Sequence, residues 1–400
     1  MEYVNLKDYI ETMESGKRPK GGAVNEGIPS LGGEHITSEG KFNLKSNKLK
    51  YVPENYYNEL KKGKIQVNDI LVVKDGATTG KTAIVTEKFP FEEACINEHL
   101  FLIRTKKELK AKYLYYYFLS DLGQHQILKD FRGATIGGIS REFININLYI
   151  PNIEIQEKII KILDKSQELI YKKKEQIFNL DELVKSRFVE MFGDPVKNVM
   201  QWEKILCKEA TLKIGSGATP KGGNSSYKDE GISLIRSMNV YNNNFVENNL
   251  AYIDDEQAEK LKNVEVKRND VLLNITGASV ARCCIVPPKY IPARVNQHVS
   301  ILRCEDTKIL PIFLCYQFTN ENYQRLLWEI ASNSGATREA ITKQQIENLE
   351  VIIPPIELQN QFADFVTKVD KLKFEMEKSL KELEDNFNSL MQKAFKGELF

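Results

Sequence analysis

Six cysteines in 400 residues, Cys95, Cys207, Cys283, Cys284, Cys304 and Cys315, contain no C-x-x-C, and their only close pair is vicinal. This argues against a zinc cluster of the usual ligand spacing and against a disulfide framework, and it points to reduced thiols in a cytoplasm. Long apolar runs are also missing. The opening Met1-Glu2-Tyr3-Val4-Asn5 is not a charged start followed by an apolar stretch, so neither a signal peptide nor a spanning helix is expected. The formal net charge is only +1, so any nucleic-acid binding has to come from local basic patches or from partners. What is present is an ordinary globular composition, 42% hydrophobic and 28% charged, in a chain long enough for two to four domains with sizeable cores.

The chain repeats itself after about 200 residues. Gly16-Lys17-Arg18-Pro19-Lys20-Gly21-Gly22 returns as Gly217-Ala218-Thr219-Pro220-Lys221-Gly222-Gly223, and Gly27-Ile28-Pro29-Ser30-Leu31 as Gly231-Ile232-Ser233-Leu234-Ile235. Asn68-Asp69-Ile70-Leu71 is echoed by Asn269-Asp270-Val271-Leu272, Asn97-Glu98-His99 by Asn296-Gln297-His298, and Gly133-Ala134-Thr135 by Gly335-Ala336-Thr337. Ile150-Pro151-Asn152-Ile153-Glu154-Ile155-Gln156 returns as Ile353-Pro354-Pro355-Ile356-Glu357-Leu358-Gln359. Upstream of these prolines, β-branched and aromatic runs such as Ile65 to Val73 and Val271 to Ile275 alternate with Gly, Asn and Asp turns, a strand-rich texture with one helix late in each half, near Leu114 to Phe131 and Ile312 to Ile330.

Downstream the pattern becomes helical. Apolar residues fall at Ile155, Ile159, Ile162, Leu169, Ile177, Leu180, Val184, Phe188 and Met191, and again at Leu358, Phe362, Phe365, Val369, Leu372, Met376, Leu380, Leu383, Phe387, Leu390 and Ala394. Spacings of three and four are those of coiled-coil helices, and proline suits a helix start because its missing N–H would be unpaired there anyway. Each helix covers roughly 35 to 40 residues, or about 50 to 60 Å at about 1.5 Å per residue. The expected fold is α+β: two strand-rich α/β domains, residues 1–150 and 198–352, alternating with two long helices, 151–197 and 353–400. One apolar stripe per helix needs a partner, so antiparallel pairing relates the halves by a pseudo-two-fold, like the jaws of a caliper.

The alternation, the repeated basic Gly/Pro loop, the Ile-Pro-x-Ile-Glu-x-Gln helix starts and the endings Ser186 to Gly193 and Ser389 to Leu399 together resemble the specificity subunit of type I restriction-modification systems. The resemblance covers essentially the whole chain. It implies that each strand-rich domain is a target recognition domain for one half of a bipartite double-stranded DNA sequence, and that the helices set the gap and dock two modification subunits. Those partners would be adenine-N6 methyltransferases using S-adenosylmethionine. Up to two ATP- and Mg-dependent restriction subunits would join them. Pseudo-symmetry puts the two modified adenines on opposite strands, and the divergence of the two domains makes the target asymmetric.

Candidate DNA contacts are Lys17, Arg18, Lys20 and Lys221 in the Gly/Pro loops, where cations accompany glycines that let backbone approach phosphate; lysine, a point charge, suits phosphate better than bases. Arg132 and Thr135, with Thr337 and Arg338 in the second half, put a guanine-reading arginine next to Thr and Gly before an expected helix start at Ser140 or Thr337. Arg236, Asn239, His35 and the run Asn242 to Asn244 could reach base edges, although turn chemistry explains the asparagines better. Lys172-Lys173-Lys174 either tracks phosphates or is a solvated helix face. His99 and His298 are too few and too far apart for a metal site and suit a hydrogen-bonded scaffold role. Candidate spacer and docking residues are Ile155, Ile159, Ile162, Leu169, Leu180, Phe362, Val369, Leu372 and Leu383.

The segment Asp75 to Thr82 imitates a phosphate-binding loop, but the glycine needed four residues before Gly80-Lys81 is Asp75, so a hairpin turn is expected. No Asn/Asp-Pro-Pro-aromatic segment and no glycine-rich cofactor loop follow a strand. The chain is therefore expected to be non-catalytic and to bind no cofactor itself. The alternatives are a coiled-coil DNA-binding regulator without methyltransferase partners, or an enzyme using the Gly76 to Thr82 loop.

Overall fold

The computed structural model describes residues 3–45, 49–133, 137–220, 222–333 and 339–400. They form two compact units, Met1–Glu175 with Glu377–Phe400, and Gln176–Met376. The first unit contains β1 (Tyr3–Asn5), β2 (Ile10–Ser15), β3 (Ile28–Leu31), β4 (Lys50–Val52), α1 (Glu54–Glu59), β5 (Ile70–Val73), β6 (Thr82–Ile84), β7 (Cys95–Ile96), β8 (Leu100–Thr105), α2 (Ala111–Leu119), α3 (Asp121–Leu128), β9 (Asn147–Tyr149) and the start of α4 (Ile153–Phe192). The second holds the rest of α4, then β10 (Glu203–Leu206), α5 (Cys207–Ala210), β11 (Thr211–Ser216), β12 (Ile232–Ile235), β13 (Val240–Tyr241), β14 (Asn244–Phe245) and β15 (Ala251–Ile253). It continues through α6 (Asp255–Lys260), β16 (Glu265–Val266), β17 (Val271–Asn274), β18 (Cys283–Ile285), β19 (Ala293–Val295), β20 (Val299–Cys304), α7 (Pro311–Thr319), α8 (Glu321–Ser332), α9 (Lys343–Glu347), β21 (Glu350–Ile353) and the start of α10 (Ile356–Lys396).

The two units share one topology. An antiparallel sheet β2-β8-β5-β6 in the first matches β11-β20-β17-β18 in the second, and β4-β3-β7 matches β15-β12-β19, with β3–β7 and β12–β19 the parallel pairs. The β1–β9 ribbon matches β10–β21. Ile70 to Val73 and Val271 to Leu273 are buried on both sheet faces, as continuous apolar runs require. Each run is launched by an asparagine at positive φ, Asn68 (72°) and Asn269 (67°), followed by an aspartate bound to a neighbouring-strand arginine. Asp69 accepts from Arg104 at 2.7 and 3.0 Å, and Asp270 from Arg303 at 2.8 and 2.7 Å.

The long helices begin where the repeat places them, for a shared reason. Gln156 is buried; its amide donates to the Glu108 and Pro151 carbonyls and its oxygen accepts the Lys110 N–H. Gln359 does the same with Lys308, Pro354 and Leu310. In the first unit, Ile159 and Leu163 of α4 meet Met391, Ala394 and Phe395 of α10 over the α2 tyrosines, with Phe395 at 5.2 Å from Tyr113 and 5.3 Å from Tyr117. In the second, Phe188 and Phe192 of α4 meet Phe362 of α10 and Phe313 of α7 at 4.7 to 5.6 Å. Within each unit the two helix segments run antiparallel, with Lys174 bridging to Glu384 and Lys373 to Asp181 at 2.7 Å.

Three sequence expectations need correction. Each late helix is two: Ser120 and Asn320 take extended backbone and cap α3 and α8, accepting from the Gly123 and Asn322 N–H groups. The expected helix start at Ser140 is a 3₁₀ turn, Arg141–Ile144, and the α-helix after the second loop begins at α9, capped by Thr342 with Gln345. Leu169 and Leu372, assigned to the seam, are 42% and 47% exposed, because at about 3.6 residues per turn each lies roughly a quarter turn off the core-facing stripe, set by Ile159 and Leu163 on α4 and by Phe362 and Val366 on α10. Ile155, Ile162, Leu180 and Leu383 are half-buried, while Ile159, Phe362 and Val369 are core residues.

Two predictions follow from this packing. A Cβ on Gly217 would lie 1.6 Å from the Val295 carbonyl oxygen, whereas one on Gly215 meets nothing within 4 Å. Gly217→Ala should lower the unfolding free energy of its unit by about 3 kcal/mol or more and Gly215→Ala should change it by less than about 0.5 kcal/mol, read by urea denaturation. All six cysteines are buried and free, and burial pushes the Cys207 thiol up to about 12 and raises Cys95, Cys283, Cys284 and Cys304. A raised thiol pKa keeps the unreactive protonated form. Ellman's reagent should thus titrate almost no thiol in the native protein and all six after denaturation.

Candidate nucleic-acid interface

Four loops converge beside the four-stranded sheet of the first unit. The Gly/Pro loop leaves β2 at Gly16, whose Cα lies against the Ile96 and Asn97 carbonyls so closely that a Cβ would sit 2.0 Å from the first. The turn between β7 and β8 is fixed by the Asn97 side chain, which accepts the His99 N–H at 2.9 Å. The β5–β6 hairpin joins through the Lys74 N–H to the His99 carbonyl and through His99 Nδ1 to Asp75 Oδ1 at 2.5 Å. The segment after α3 joins through the Gly76 N–H to the Gly137 carbonyl.

The second unit repeats the frame. Gly217 N–H donates to Asn296 O, Asn296 accepts the His298 N–H at 3.0 Å, the Ile275 N–H reaches His298 O, and Gly277 N–H reaches Glu339 O. What differs is the chemistry the frame displays. In the first unit Arg18 pairs with Glu98, Nε to Oε1 at 2.8 Å, and Glu98 lies 3.5 Å from His99. In the second, Thr219 bonds Gln297, and His298 takes Thr276 in place of an aspartate, at 2.6 Å. Lys74, Asp75, Glu98 and Arg18 thus face Ile275, Thr276, Gln297 and Thr219 at matching positions.

Lys17, Arg18 and Lys20 are exposed on this loop, and a Tyr56 hydroxyl donates to the Lys17 carbonyl. Arg132 is also exposed, bridged to Asp130 at 3.2 Å through a terminal nitrogen. Arg236 is half-buried over the Tyr227 ring at 5.3 Å and donates to the Asn249 carbonyl. Asn239 is fully buried: its oxygen accepts the Arg236 N–H and its amide donates to Val246, as His35 accepts the Gly32 N–H in the first unit. Neither offers a free edge to a base, which corrects Asn239 as a contact candidate. Asn243 is likewise engaged, donating to Thr319. Thr135, Lys221, Thr337 and Arg338 lie outside the described residues. In the lysine run, Lys172 pairs with Glu168 and Lys174 with Glu384.

Sequence reasoning missed Glu98, Asp75, Gln297 and Thr276. The signal was available in the repeat: Arg18/Glu98 and Thr219/Gln297 change together, from an ion pair to a neutral one.

The match with known proteins agrees with this double frame. The model of the type I restriction modification DNA specificity domain matches residues 1–179 and 210–385, and the chain belongs to that family. It is 24% identical over 422 residues to a Methanocaldococcus jannaschii protein assigned as the MjaX type I restriction enzyme specificity subunit, covering 100% of this chain and 93% of that one. It is 20% identical over 395 residues to the EcoKI specificity subunit of Escherichia coli, covering 93% and 82%. In fold it resembles a chain solved in work on assembly and conformational transition of the type I R-M system (TM-score 0.61, 18% identity, 100% and 98% covered) and the S subunit from M. genitalium (TM-score 0.52, 15% identity, 98% and 96% covered). Among the described residues no helix is long and apolar enough to cross a membrane, and no group of three metal-ligating side chains assembles.

The phosphate-loop imitation is a closed hairpin. Thr79, Gly80 and Lys81 spend their N–H groups on Gly76, Val73 and Thr78 carbonyls, leaving none of the three for a phosphate. Equilibrium dialysis should therefore find no saturable ATP binding that Lys81→Ala abolishes.

Proposed function

We propose that the chain is the sequence-reading subunit of a type I restriction-modification complex, each unit reading one half of an asymmetric bipartite DNA target. The observation that carries this reading is one loop frame built twice with different exposed chemistry: the backbone bonds repeat, and the side chains facing outward do not. In this reading the lengths of α4 and α10, 40 and 41 residues, set the number of base pairs between half-sites. Lys17, Arg18, Lys20, Arg132 and Arg236 are the proposed DNA contacts among the described candidates. Leu169 and Leu372, exposed at matching turns of the two helices, are proposed docking contacts.

The partners are two adenine-N6 methyltransferase subunits, which supply S-adenosylmethionine chemistry, and up to two restriction subunits using ATP and Mg. The chain itself is non-catalytic and acts in the cytoplasm. Family membership, and the domain described for it, favour this reading over a regulator working without methyltransferases.

A methyladenine map of a host carrying the partner methyltransferase, with and without this chain, tests it. A bipartite motif should gain methylation only when the chain is present, and exchanging residues 1–150 for those of a relative should change one half of that motif. An unmoved map would favour the stand-alone regulator. Removing residues 173–179 from α4 alone shortens that helix by about 10 Å and uncouples the paired seams; unchanged activity with unchanged spacer length would refute the ruler role.

A further inference from the structure

We propose that Arg18 reads a guanine in the half-site of the first unit, with Glu98 as its positioning residue, and that the Thr219/Gln297 pair gives the second unit a different preference at the matching position. This rests on the DNA-specificity reading above and names the residue that carries one part of it.

Among the exposed cations of the described loops, Arg18 is singled out by how it is held. Lys17 and Lys20 carry point charges on flexible stems, suited to phosphate. Arg132 spends a terminal nitrogen on Asp130, so half of its fork is occupied. Arg18 is drawn to Glu98 through Nε, and among the described residues neither of its terminal nitrogens has a partner. The edge left open is the pair of N–H groups that forks onto guanine O6 and N7 in the major groove. Glu98 is itself confined: its Oε1 faces Arg18 and His99, and its Oε2 is enclosed without a hydrogen-bond donor. His99 is anchored in turn by Asp75. The brace therefore runs from the hairpin through the β7–β8 turn to the arginine.

Stability does not account for such an arrangement. With side chains 61% and 30% exposed, the Arg18–Glu98 pair belongs to the class of surface ion pairs that add little to folding. The second unit keeps the same backbone frame with Thr219 and Gln297 instead, so the frame does not need the ion pair. Gln297 is a neutral amide held at both ends, its oxygen accepting from Thr219 and its nitrogen 3.1 Å from His298 Nε2, so this position of the second unit carries no arginine fork for guanine.

The test uses the full chain with its methyltransferase partner in a host free of adenine methylation, read by methyladenine mapping. Variants are Arg18→Lys, Arg18→Ala, Glu98→Gln, the double change Arg18→Thr/Glu98→Gln and the reciprocal Thr219→Arg/Gln297→Glu. Arg18→Lys and Arg18→Ala should each relax one G·C position of the first half-site by roughly tenfold to a hundredfold, leaving the second half-site and the spacer unchanged. Glu98→Gln should relax the same position with Arg18 still present, and the reciprocal pair should add a G·C preference in the other half. A uniform loss across all positions, as a phosphate contact gives, or an unchanged first half-site, would overturn the assignment alone. A wild-type map without any bipartite motif would overturn the specificity reading and this assignment with it. Thermal melts of the same variants, expected within a degree or two of wild type because Arg18 is exposed, separate lost reading from lost folding.

Discussion

A helix of 40 residues with one apolar face is stable only where that face is covered, and each unit covers part of both long helices. The first unit's core takes the start of α4 and the end of α10; the second takes the end of α4 and the start of α10. The two cores are sealed by the same kind of contact, aromatic rings from helix ends set edge-on against aromatic rings of the α2 or α7 helix. The first unit is therefore not a contiguous stretch of sequence, since residues 377–400 complete a unit that begins at the N-terminus, whereas the second runs unbroken from Gln176 to Met376.

The repeat was legible in the sequence because its most demanding positions are chemically narrow. A buried glutamine that ties a helix start to a strand-helix corner cannot be replaced by an apolar residue without orphaning two carbonyls and an N–H, so Ile-Pro-x-Ile-Glu-x-Gln stands out twice. Gly16 and Gly217 stand out for the same kind of reason, since a side chain there would overlap a neighbouring carbonyl. The interruptions at Ser120 and Asn320 were less visible: the flanking apolar residues keep a helical spacing through the cap, and only the side-chain bond to the next turn reveals the break. The seam was legible at its ends and misread in its middle, where Leu169 and Leu372 follow the spacing but do not point into either core.

The loop residues were the hardest to read, because exposed polar side chains carry no periodicity. Local composition suggested Asn239 as a base contact, yet its amide closes a turn in the role that His35 fills in the other unit. Composition equally undervalued Glu98 and Gln297, which look like solvated turn residues until the Gly/Pro loop is seen beside them.

The two kinds of arginine–carboxylate pair in this chain show how such a molecule can change target without changing fold. Arg104–Asp69 and Arg303–Asp270 each bury the carboxylate completely beneath a two-pronged arginine, and losing one partner would strand a buried charge. Both units keep them. Arg18–Glu98 lies in solvent-accessible loops, where pairing and its neutral replacement differ little in folding free energy. Folding thus fixes the first class and is indifferent to the second, while in the proposed reading it is the second that meets DNA. The loop chemistry is free to vary on a frame that is not, and a chain carrying the frame twice can vary its two half-sites independently.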